Sequence, residues 1–230
     1  MKGLFLIIAL IASLTLQAQH KDNIWLRSTF TAQDKFGLIY DFELQHRLQP
    51  INNDNLPNHI LLNSARLWIH YNINNKLKLS VSPIALFYHI QWKSLSNQDL
   101  QKIQTREYRN SIALNYQFFT RKKVNLYIRS AIAGRVFSNK SPQFRWRNRI
   151  GADWKINKKY TLKPFYEIFY QSQKDYFIPL EQMRFNFGLQ RNFNKKFSIE
   201  LAYMLLLKHN IYNANFLKED NFIINLQYKF

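Results

Sequence analysis

The chain has 230 residues and a formal charge of +19, with 47% hydrophobic residues, 16% aromatic residues and no cysteine. That apolar content excludes a disordered polyelectrolyte. The missing cysteine excludes disulfides, zinc–thiolate sites and a lipid anchor on cysteine, while the 19 Phe, 13 Tyr and 5 Trp are types favoured by β-structure and by membrane interfaces.

In chain order, the first element reads as an export signal. Lys2 supplies a positive start, Leu4 to Leu16 form an apolar core, and cleavage is expected near Ala18 or Gln19. The core is shorter than the ~20 residues of a spanning helix. Residues 1–19 are therefore expected to be a cleaved signal peptide, and 20–230 a single domain. No later run is apolar throughout over a bilayer's thickness.

From there, polarity alternates residue by residue. A weak alternating run covers 24–31. Stronger runs follow at 36–48, 60–72, 77–91, 105–118, 123–136, 143–155, 160–171, 183–193, 197–208 and 220–230. In the last, Phe222, Ile224, Leu226, Tyr228 and Phe230 oppose Asn225, Gln227 and Lys229, with Ile223 as an apolar exception on the polar side. In the one before, Met204 and Leu206 blur the polar side in the same way. Most runs have the length that a tilted strand needs to cross a bilayer, about 9–11 residues or slightly more.

Short polar turns recur at 74–76, 121–123, 157–159 and 194–196. Longer polar segments lie at 49–58, 93–103, 172–181 and 209–219, with a short one at 138–142. Short turns on one side and long loops on the other are the layout of outer-membrane barrels. Tyr71, Trp92, Phe118, Phe119, Trp154, Tyr160, Tyr170 and Phe193 fall near strand ends, where interfacial girdles form. The pattern predicts an all-β fold: one antiparallel up-and-down transmembrane β-barrel of roughly 10–12 strands, with a polar lumen and an apolar exterior. Even strand numbers are usual, so either the run at 24–31 is an extra N-terminal segment or a further strand escapes the pattern.

The polar faces collect Asp41, Glu43, Arg47, Arg66, Glu107, Arg109, Arg129, Arg135, Arg145, Arg147, Arg149, Asp153, Lys163, Glu167, Arg184 and Glu200. Cross-strand pairing of these charges would make a structural plug. An excess of arginine would make a narrow anion-preferring pore, with Arg145, Arg147 and Arg149 in one row on one face. A small anionic solute would then be the ligand.

Catalytic signals are thin. The histidines are His20, His46, His59, His70, His89 and His209, and neither His-x-Ser-Asn-Gly nor Gly-x-Ser-x-Gly occurs. Ser64 and His70 share a strand face but are too far apart to bond. His46 and His89 have lipid-facing parity. No metal-ligand cluster and no cofactor motif is present. A lipid-modifying hydrolase remains an alternative, as does a soluble periplasmic barrel binding lipid, which would require the apolar face inside. Nucleic acid is not an expected partner, because the basic residues alternate into a closed interior.

Several features are similar to those of a known group: Trp25, the segment Glu43 to Arg47, Arg106-Glu107-Tyr108-Arg109, Arg145 to Arg149 followed by Gly151, Pro164 to Phe169 with Glu167, and the closing Tyr228-Lys229-Phe230. On these the chain resembles the outer-membrane β-barrel family catalogued as domain of unknown function 2490. The resemblance implies a barrel in the outer membrane, in contact with its lipid and lipopolysaccharide; that family has no established activity, so fold and location are all that it implies. The terminal aromatics Tyr228 and Phe230 also resemble the signal read by the barrel-assembly machinery.

Overall fold

A computed structural model describes residues 21–50, 59–94, 100–173, 176–209 and 216–230. The expected signal segment lies outside them. Eleven strands make up the fold: β1 (Lys21–Gln33), β2 (Ile39–Gln49), β3 (His59–Asn72), β4 (Leu77–Ser94), β5 (Leu100–Arg121), β6 (Val124–Phe137), β7 (Gln143–Lys155), β8 (Tyr160–Gln173), β9 (Tyr176–Asn192), β10 (Phe197–His209) and β11 (Phe216–Lys229). They close into one barrel in sequential order. Closure gives the backbone N–H and C=O groups of each strand a partner on both sides, which an open sheet in lipid could not do.

Sequential neighbours pair antiparallel, as expected, but the closing pair does not. β1 and β11 run parallel, in register from Lys21 opposite Glu219 to Thr31 opposite Lys229. The weak run at 24–31 is thus a full strand. Its alternation is faint because Ser28, Thr29 and Thr31 carry little polarity contrast, while Trp25 stands on the lumen side. The antiparallel expectation fails at this seam because an odd count brings two strands of the same direction together.

Side-chain polarity sorts as the alternation predicts. Ile84, Leu86, Ile112, Leu114, Ile132, Ile150, Phe187, Leu201 and Phe222 are exposed on the outer face. Arginines and carboxylates line the interior. A soluble lipid-binding barrel requires the reverse.

Three of the short turns are the same device. Asn74, Asn157 and Asn194 each accept, through the side-chain oxygen, hydrogen bonds from backbone N–H groups two and three residues on. A fourth turn, at 34–38, uses Asp34 as acceptor and Gly37 at a φ of 83°, a left-handed backbone that only glycine adopts freely. Tyr71, Phe118, Phe119, Trp154 and Phe193 are exposed around this end of the barrel. At the other end the strands outrun expectation. β4, β5 and β9 extend into the segments 93–103 and 172–181 read as loops. Beyond a bilayer both faces of a hairpin meet water, so the alternation that reveals a strand disappears.

Candidate functional site

A cavity of about 1590 Å³ runs through the interior. Its lining runs from Ala32, Asn74, Lys76 and Lys229 at the short-turn rim to Lys140, Ser141 and His209 at the opposite rim. Alternation brings the charges inward, and small residues make room for them. Ser80, Ser82 and Ala85 on β4, Ser111 and Ala113 on β5, and Ala131 on β6 are all buried. The indole of Trp68 on β3 lies over Ala113 and Ala131. On the opposite wall Trp25 is buried with Ala202, Met204, Leu206 and Ile223. These are the residues that blur the polar sides of β10 and β11 in the sequence.

Most of the expected charged network is paired. Glu107 has no exposed carboxylate surface. It accepts from His89 Nε2 at 2.7 Å, from Arg109 Nε at 2.8 Å, and from Arg135 Nε and Nη2 at 2.7 and 3.0 Å. Arg135 also donates to Gln143 and Gln171, each at 3.3 Å. Glu167, equally buried, accepts from Arg149 Nε at 3.1 Å, with Arg184 Nη1 at 3.6 Å. Arg145 pairs with Glu181, and Lys163 lies 3.9 Å from Glu200.

The rest of the network, with Arg27, is not brought into ion pairs. Among the described residues Arg27, Arg47, Arg66, Arg129, Arg147 and Glu43 form no ion pair. Several rest on aromatic faces instead. The guanidinium of Arg47 lies 3.5 Å from the Trp25 ring centre, and those of Arg66 and Arg129 lie 4.7 and 5.0 Å from that of Trp68. Arg109 covers Phe87 at 4.0 Å and Arg149 covers Phe165 at 3.8 Å. Such cation–π contacts hold a guanidinium without neutralising it. The expected row of Arg145, Arg147 and Arg149 is therefore split: the outer two are paired, and Arg147 is left facing the cavity.

Sequence reasoning missed Arg27, because β1 was weak, and it missed Trp25, Trp68, Phe87 and Phe169 as lumenal rings. An aromatic on the polar side of an alternating strand was the available signal. His89 was placed outward and is inward. The ladder shifts register between Ser82 and Ala85, at Pro83, which has no N–H to donate. Beyond that bulge every β4 side chain changes face. His46 stays on the outer side, opposite Asn63.

A hydroxyl, an imidazole and a carboxylate do meet inside. Ser80 Oγ lies 2.8 Å from His70 Nδ1, and Asp41 lies 3.0 Å from His70 Nε2. Ser80 is 2% exposed and does not line the cavity, so this hydroxyl has no path to a substrate. Thr31 donates to the same Asp41 at 2.6 Å. The chain of bonds joins β1, β2, β3 and β4 as a structural clamp. Among the described residues no group of His, Asp or Glu could hold a metal.

Among solved structures, the NanC porin is similar with a TM-score of 0.53 at 14% identity, covering 91% of this chain and 99% of that one. A bacterial polysaccharide outer membrane secretin matches at 0.49 and 11% identity over 83% of this chain. OmpT of Vibrio cholerae matches at 0.41 and 11% identity over 79% of this chain. The chain spans 63% of the secretin's length and 58% of OmpT's. No curated protein matches. The fold is that of outer-membrane barrels, and the family model described as "Protein of unknown function (DUF2490)" matches residues 22–216, so the chain belongs to that family.

Proposed function

We propose that this protein is an outer-membrane pore with a narrow, arginine-rich lumen that prefers small anions. The observation that carries the reading is a cavity lined from rim to rim whose unpaired fixed charges, among the described residues, are mainly cationic, arginine along its length and lysine toward the rims. Rings of fixed cations lower the barrier for anions and raise it for cations. An exterior of exposed Ile, Leu and Phe supports residence in a bilayer. Export by a cleaved signal peptide and insertion through Tyr228 and Phe230 belong to the same reading. Tyr228 on β11 and Phe230 just past its end are both exposed, with ring centres 5.2 Å apart.

A catalytic role is the weaker reading, since in the Ser80–His70–Asp41 set the hydroxyl is buried off the cavity lining. The test is reconstitution in planar bilayers under a potassium chloride gradient. Discrete conductance steps are expected, with a reversal potential on the chloride side. Arg147→Gln should shift that potential toward potassium. Absence of conductance at every voltage, or a cation preference, overturns the proposal.

A further inference from the structure

We infer that Arg27, Arg66, Arg129 and Arg147 form a seat for a compact multivalent oxyanion of the phosphate class, midway along the lumen. The inference rests on the lumen being an anion path and adds what it retains. Each arginine sits near the centre of its strand. β1 and β7 stand on opposite walls of the eleven-strand ring, so Arg27 and Arg147 reach toward each other across the cavity that both line. Arg66 and Arg147 are electrostatic neighbours of each other and of Arg27, and Arg129 is a neighbour of Arg147 and Arg66. Four strands thus aim guanidiniums at one region.

These side chains differ in how they are held. Arg66 and Arg129 are both pressed against the buried indole of Trp68, and Arg66 Nη2 donates to Ser111 at 3.3 Å. Arg66 Nε is buried and has no acceptor. Arg27 and Arg147 make no hydrogen bond, ion pair or ring contact among the described residues. The nearby carboxylates are Glu43, which faces Arg66 and Arg147, Glu167, which is already held by Arg149 and Arg184, and Glu107, which acts on Arg66 but is already held by Arg109 and Arg135. Positive charge exceeds negative charge at this level, and N–H donors are left over.

Clustered guanidiniums without counter-charge repel one another in a site of reduced dielectric. An oxyanion with several oxygens relieves that repulsion and fills donors from opposite walls at once. The planar fork of arginine fits phosphate-type oxygens two at a time. Chloride, a single small ion, leaves most of the donors empty. A ligand read by stacking fits less well, because the faces of Trp68 and Phe87 are already covered by Arg66, Arg109 and Arg129.

The test uses the full chain, folded in detergent, titrated calorimetrically with inorganic phosphate and separately with glycerol 3-phosphate. Inorganic phosphate is expected to bind, and to reduce chloride current when added to bilayers. Comparable binding of glycerol 3-phosphate would identify the source as a phosphate ester, and its failure to bind would identify the free ion. The double variant Arg27→Gln/Arg147→Gln should weaken phosphate binding about tenfold or more. It removes unpaired inward charge and is expected to fold, which heat-modifiable gel mobility reads independently. Glu43→Gln should tighten binding, a direction that loss of structure does not produce. Lys158→Gln, on an exposed turn, should leave it unchanged. Chloride conductance without phosphate binding, or phosphate affinity untouched by both variants, overturns the seat and leaves the pore standing. Phosphate binding that depends on Arg27 and Arg147 in a protein without conductance overturns the pore and leaves the seat.

Discussion

The carboxylate of Glu107 is enclosed by Arg109, Arg135 and His89, and the surrounding cations depend on it as much as it depends on them. Glu107→Gln leaves buried guanidiniums without a counter-charge, which typically costs about 3–5 kcal/mol. Its urea midpoint in detergent is expected to fall far more than that of Glu43→Gln, whose carboxylate forms no ion pair. The inward direction of nearly every charge was legible in the sequence, because a period of two leaves only two faces. Which charges pair was not legible. Arg145, Arg147 and Arg149 look identical along β7, yet Glu181 and Glu167 reach the outer two and miss the middle one. Partners come from other strands, and their height depends on register and bulges that local pattern does not encode.

At the level of strands, β4, β5 and β6 form a wall of small lumenal residues on which Trp68 and Phe87 lie. Ala131 is 3% exposed beneath Trp68. Ala131→Leu must push the indole, and with it Arg66 and Arg129, into the cavity. Overpacking of this kind costs roughly 1–3 kcal/mol, and the expected result is lower conductance together with lower thermal stability. Likewise Gly151 lies beneath Tyr127, where an added Cβ would sit 2.6 Å from the ring. The strand positions themselves were readable from alternation. Two elements escaped: β1, whose short hydroxyl side chains dilute the contrast, and β4 beyond Pro83, where one bulge inverts inside and outside. That single inversion is why His89 was expected to face lipid.

At the scale of the whole barrel, the closing pair of parallel strands sets the two ends of the described chain at opposite rims. Lys21 begins β1 on the long-loop side, and Lys229 ends β11 beside the short turns. The expectation of an even count came from single-chain barrels whose ends share a side, and no local pattern reports which way the last partner runs. A chain that crosses an odd number of times is a one-way thread. The first and last described residues lie at opposite rims, so each is open to a different set of enzymes and labels. The native chain has no thiol to confuse the readout. In intact cells an impermeant maleimide is therefore expected to mark Asp22→Cys and to spare Lys196→Cys. Equal protection of both would mean that β1 starts and β11 ends on one shore.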